Sequence, residues 1–129
     1  MSTGLDTMEP DPAWDPVAHA EAVDALGREG LTFKVWGGDW CSDCRRRLPA
    51  FAAALEAAGV PADAVDEHPV EKRDDGSKVG PEVEAYGIER IPTVVVEREG
   101  REVARFVEEE PVPIAVHLAE RLRAADVDA

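Results

Sequence analysis

The apolar positions of this chain switch between helical and strand spacing several times. Asp15-Pro16 sets an acid at a helix cap and a proline at its first position. The helix predicted there runs to Leu26, with His19, Ala22, Val23, Ala25 and Leu26 on its apolar side, and Gly27 and Gly30 end it. Leu31 to Trp36 has period two: Leu31, Phe33 and Val35 share one strand face, and Thr32, Lys34 and Trp36 the other. Gly37 and Gly38 break the strand and allow a tight approach to the segment after them. From about Cys44 to Ala58, the positions Leu48, Phe51, Ala52 and Leu55 keep helical spacing. Pro49 removes a backbone donor inside that helix and predicts a kink. Gly59 ends it, and Pro61 prevents its continuation.

Ala64 to about Val70 reads as a weaker strand, and the charged stretch Glu71 to Gly80 as a loop. A short helix over Glu82 to Tyr86 is closed by Gly87. Thr93 to Arg98 is a strong strand whose three consecutive valines predict burial on both faces. Glu99-Gly100 turns the chain, and Arg101 to Val107 returns antiparallel. Pro113 opens a last helix with Ile114, Leu118 and Leu122 on one face. This order predicts an α/β fold: a central mixed sheet of about four strands with helices on both faces. Residues 1–12, polar and acidic with Gly4, Pro10 and Pro12, read as a disordered tail before one domain at 13–129.

Trp40-Cys41-Ser42-Asp43-Cys44 lies between the first strand and the long helix and holds the only two cysteines of the chain. Two intervening residues can form the first helical turn and bring both sulfurs within bonding reach. A disulfide there closes so small a loop that it removes little entropy from the unfolded chain, so its use is chemical. The helix start, with unpaired N–H groups and the positive end of the dipole, favours a thiolate at Cys41. Cys44, one turn further in, is then the resolving thiol. Two inert thiols, or half of a zinc site completed by another chain, are the other readings of the pair.

Composition narrows the function. The chain has 129 residues and 44% hydrophobic content, enough for one domain with a core. Asp and Glu number 28 against 14 Lys and Arg, a net charge of −14. Such a surface argues against nucleic-acid binding and suits concentrated salt, which screens self-repulsion. No apolar run is long enough to span a bilayer, and the acidic N-terminus does not read as a secretion signal, so the expected location is the cytoplasm. His19, His68 and His117 lack ligand spacing, which gives no support to a metal site. Tyr86, Trp14 and Phe106 read as core or edge residues, and His117 as a rim residue of the last helix.

Four features in order resemble the thioredoxin family: Trp40-Cys41-Ser42-Asp43-Cys44, Pro49 five residues after Cys44, Tyr86-Gly87-Ile88-Glu89-Arg90-Ile91-Pro92-Thr93, and the Glu99-Gly100 hairpin turn. Together they span roughly residues 30–122. The resemblance implies a thioredoxin-like fold and a cis Ile91–Pro92 bond facing the cysteines. It implies that the Ile91 backbone pairs with an extended client segment and that Trp40 shields Cys41 and shapes the client surface. It implies a protein-disulfide oxidoreductase acting on disulfide-containing client proteins, with no cofactor beyond the Cys41–Cys44 pair. Electrons would come from a reductase or a small thiol, and the expected state is a monomer. The same groove could instead serve a binding module or redox sensor without turnover.

Four departures mark the chain as divergent. Val35 stands where the family has a buried aspartate that helps deprotonate the second cysteine. Ser42 and Asp43 replace glycine and proline and would tune the thiolate, with Arg45, Arg46 and Arg47 next in the chain. A family glycine after the hairpin is replaced around Val107 or Glu108, beside the acids Glu109 and Glu110. The stretch from Cys44 to Pro92 is longer, and Glu71–Gly80 absorbs the difference.

Overall fold

Strand Leu31–Gly37 lies inside the sheet: it pairs on both edges, and its burial alternates over Leu31–Lys34 and is continuous over Val35–Gly37. The computed structural model describes residues 6–72, 74, 78–80, 82–107 and 112–127. In chain order its elements are α1 (Ala20–Leu26), β1 (Leu31–Gly37), α2 (Ser42–Ala57), β2 (Val65–Pro69), the two-residue strands β3 (Glu71–Lys72) and β4 (Lys78–Val79), α3 (Val83–Tyr86), β5 (Thr93–Arg98), β6 (Arg101–Phe106) and α4 (Ile114–Val127). The main sheet has the order β2-β1-β5-β6. β1 pairs in parallel with β2 and antiparallel with β5, and β5 pairs antiparallel with β6. This is the mixed four-stranded sheet that the apolar pattern predicts.

The two faces of β1 meet different partners because successive side chains point to opposite sides. On one face Phe33 meets Phe51 of α2 edge-on, with ring centres 6.3 Å apart. α1, α2 and α4 pack against one another on this side. On the other face Trp36 is covered by Tyr86 of α3 and by His68 of β2, at 5.0 Å and 4.9 Å. Lys34, on the same side, reaches Glu82 at 3.3 Å and Asp66 at 3.6 Å. Val94, Val95 and Val96 are therefore fully buried, as a strand covered on both faces requires.

Four local readings change. The tail expected over residues 1–12 is packed from Asp6 onward, while residues 1–5 lie outside the described ones. Asp6–Met8 forms a 3-10 turn against α2. Thr7 is buried with its N–H on Asp39 Oδ1 at 3.0 Å, and the Asp11 N–H donates to Pro49 O at 3.0 Å. The first helix starts at Ala20 rather than Pro16: residues 16–19 form a turn in which the Asp15 carboxylate accepts from the Val17 N–H at 3.0 Å and the His19 N–H donates to the Pro16 carbonyl at 3.3 Å. The charged stretch after β2 is not all loop: Glu71 pairs with Val79, and Lys72 with Lys78. His117 is a core residue rather than a rim one. It is buried edge-on to Phe106 at 5.7 Å, and its Nε2 lies 2.9 Å from the Arg105 carbonyl. A carbonyl only accepts, so Nε2 carries the proton. α2 itself continues through Pro49 to Ala57.

The β5–β6 turn holds Glu99 at φ 54° and Gly100 at φ 78°, the pair of positive angles a two-residue hairpin needs. Glutamate is a poor occupant of that region. Glu99→Asn should stabilise the fold by about 1 kcal/mol in urea unfolding. A lower midpoint would mean that the Glu99 side chain contributes something the turn geometry does not reveal.

Candidate active site

Cys41 ends the connection from β1 in an extended conformation, φ −89° and ψ 122°, and caps α2. Its sulfur takes the place of the usual capping oxygen: the Cys44 N–H donates to Cys41 Sγ at 3.4 Å. Both cysteines are free thiols, and they differ sharply in exposure: Cys41 is part-exposed and Cys44 has no accessible surface. The Gly38 N–H donates to Cys44 Sγ at 3.5 Å. Burial pushes the Cys44 thiol up from its ordinary 9.0 to about 12. The Gly38 N–H works against that rise, while the Cys41 sulfur and the Asp43 charge add to it.

The rim comes from three other elements. Trp40 is 47% exposed, and its indole N–H donates to the Val70 carbonyl at 2.8 Å. Gly38 leaves room for this ring, since a Cβ there would lie 2.5 Å from the indole nitrogen. Across the site, the Ile91 carbonyl is 3.9 Å from Cys41 Sγ, and the Ile91–Pro92 bond is cis. Both residues are buried. The Thr93 hydroxyl donates to Arg90 O at 2.6 Å and closes the loop leading to them. Ser42 is exposed in the first turn of α2, and Asp43 pairs with Arg46. The structure thus gathers Trp40, Cys41, Cys44 and Ile91 at one end of the sheet.

Val35, where an acid would help Cys44 lose its proton, is fully buried and apolar. Of the three arginines, Arg45 and Arg46 are exposed, whereas Arg47 lies over the Phe106 ring at 5.6 Å and donates to Val112 O at 3.3 Å. The acids Glu108, Glu109 and Glu110 lie outside the described residues. Two contributors were not legible as site residues. Gly38 reads in the sequence as a strand break, not as the donor to Cys44. Val70 acts through its carbonyl, for which a sequence carries no signal. Among the described residues no group of three His, Cys, Asp or Glu is placed to hold a metal.

A four-stranded mixed sheet with helices on both faces carries a close cysteine pair at the head of its longest helix. This is the mixed four-stranded α/β arrangement that the sequence predicts. No family model and no curated protein matches the sequence. Among solved structures, the chain is similar to a mutant thioredoxin from Halobacterium salinarum NRC-1. The match has 17% identity and a TM-score of 0.47, and covers 96% of each chain. No helix among the described residues is long and apolar enough to cross a membrane.

The unequal sulfurs lead to two expected outcomes. Iodoacetamide at neutral pH should modify Cys41 in the folded protein and reach Cys44 only in denaturant, read by peptide mass. Modification of Cys44 first would contradict the burial order. The pH dependence has a definite sign as well. The unfolded chain releases the Cys44 proton near 9.0, whereas the folded chain holds it to about 12. Stability of the reduced protein is therefore untouched by this group below pH 9 and falls as pH rises from 9 toward 12. Cys44→Ala should flatten that part of the curve, and identical slopes in the two proteins would refute the assignment.

Proposed function

We propose that this protein is a thiol–disulfide oxidoreductase that reduces protein disulfides, with Cys41 as nucleophile and Cys44 as resolving thiol. The observation that carries the reading is the pairing at the head of α2. One part-exposed sulfur accepts the N–H of Cys44, and the second sulfur is fully buried beneath it. A client disulfide can reach only the first.

Cys41 thiolate attacks one sulfur of the client disulfide. The Cys41–client bond forms, the client S–S bond breaks, and one client thiolate leaves. The Ile91 backbone offers its edge to the extended client beside the reacting sulfurs, and Trp40 forms the opposite rim. Before this step the Cys41 sulfur is among the groups that keep Cys44 protonated. In the mixed disulfide its charge is gone, while the Gly38 N–H remains to stabilise negative charge on Cys44. Cys44 gives its proton to the released client thiolate or to water, attacks Cys41 Sγ and expels the second client thiolate. The client gains two electrons and the protein becomes the Cys41–Cys44 disulfide. A reductase or a small thiol then returns it to the dithiol, and no further cofactor takes part. The acidic surface fits a monomer working in the cytoplasm at high salt.

Insulin reduction by dithiothreitol in high salt tests the reading. The protein should accelerate it, and Cys41→Ser should abolish the acceleration. Cys44→Ser should retain the first attack and trap a mixed disulfide visible by mass spectrometry. Turnover unaffected by Cys41→Ser would defeat the assignment, and no turnover by the native protein would leave a binding module or redox sensor.

A further inference from the structure

An arginine stands on each side of Cys41 at the mouth of the cysteine site. Arg45 lies one helical turn after Cys41, and its backbone N–H donates to the Cys41 carbonyl at 3.1 Å. Its guanidinium turns back past the start of α2 and donates at 2.8 Å to the carbonyl of Asp39, the residue before Trp40. Arg90 precedes Ile91, whose carbonyl is 3.9 Å from Cys41 Sγ. The Thr93 hydroxyl donates to the Arg90 carbonyl at 2.6 Å and fixes the backbone there.

Both arginines are exposed, and neither forms an ion pair among the described residues. Arg46, Arg105 and Arg123, by contrast, each have a carboxylate partner. The acids nearest Cys41 in sequence are turned elsewhere: Asp43 pairs with Arg46, and Asp39 Oδ1 accepts the Thr7 N–H. Arg101 and Arg121 are also exposed without an ion pair, but Arg101 sits at the opposite end of the sheet and Arg121 in the second half of α4. Position therefore distinguishes Arg45 and Arg90, because a client held at Ile91 passes between them.

We infer that Arg45 and Arg90 form a clamp that favours client proteins with acidic residues flanking the reactive disulfide. The inference rests on the proposed exchange at Cys41 and names the client chemistry for it. An extended client paired with the Ile91 backbone brings the side chains beside its cysteine toward one guanidinium or the other. A guanidinium holds a carboxylate through two parallel N–H bonds. The net charge of −14 acts in the opposite sense, since it repels an acidic client from a distance. Salt separates the two effects. At about 1 M the screening length is about 3 Å, so the distant repulsion is lost while a pair in contact keeps its hydrogen bonds.

The test mixes the reduced full chain with peptides that share one internal disulfide and carry glutamate, glutamine or lysine on both sides of the reactive cysteine. Acid quenching, alkylation and mass analysis give each transfer rate, which is divided by the rate of dithiothreitol with the same peptide. In high salt the glutamate peptide should react about fivefold faster than the glutamine peptide, with the lysine peptide slowest. Arg45→Gln/Arg90→Gln should erase the difference between the glutamate and glutamine peptides. Arg45→Lys/Arg90→Lys keeps both charges and should retain most of it. Arg101→Gln/Arg121→Gln alters the net charge equally and should leave the preference as in the native protein. Equal rates for all peptides, a lysine preference at every salt concentration, or a glutamate preference that survives Arg45→Gln/Arg90→Gln or is lost equally in Arg101→Gln/Arg121→Gln would overturn the clamp and leave the exchange standing. No reaction with any peptide would overturn the exchange itself, and the clamp with it.

Discussion

Cys41 has to cap a helix whose first turn buries Cys44, and the rest of the molecule serves that constraint. A cap works only if the helix stays where the strand delivers it. Phe51, two turns beyond Cys44, fixes α2 to Phe33 of the central strand. Leu48 and Leu55 extend the same buried stripe. Pro49 interrupts the intrahelical bonding but not the helix, and its carbonyl also receives the N–H of Asp11 from the N-terminal segment. The packing of the core therefore sets the relative position of the two sulfurs.

Burial then decides the chemistry. Two thiols three residues apart in one motif differ because one faces solvent and the other has no accessible surface. Desolvation disfavours a thiolate at Cys44 more strongly than the Gly38 N–H supports it. A second cysteine held as a neutral thiol does not stabilise the reduced state through its charge, which suits a donor of electrons better than an acceptor. The missing acid at Val35 gives the proposed exchange a particular character. In the proposed exchange the proton of Cys44 leaves to the client or to water once Cys41 has been converted to a mixed disulfide.

The sheet and the cysteine motif were legible in the sequence because their signals are periodic or chemical. Period two along Leu31–Trp36, three adjacent valines, and Glu99-Gly100 before a second strand leave few other arrangements. Signals that compete locally are less decisive. Asp15-Pro16 has the form of a helix start, yet residues 16–19 make only a turn and the helix begins at Ala20. The segment before Trp14 looks like a solvated tail by composition, but its backbone finds partners at Asp39 and Pro49, far away in sequence. His117 carries no mark of burial, and only the approach of β6 to α4 supplies the carbonyl that accepts its proton. The Val70 carbonyl beneath Trp40 belongs to the same class, because tertiary contacts made by backbone atoms leave no trace in residue type.

The central claim is that Cys41 and Cys44 form a reversible two-electron couple in which the reduced state gains no charge stabilisation from Cys44. Equilibration with glutathione buffers at high salt, then acid quenching and mass analysis of alkylated thiols, measures it directly. The account predicts a single two-electron transition at the reducing end of the range, nearer the roughly −270 mV of a thioredoxin than the roughly −180 mV of a disulfide isomerase. A potential at or above the latter value would contradict the role assigned to Cys44 burial, and no measurable couple would contradict the redox reading itself.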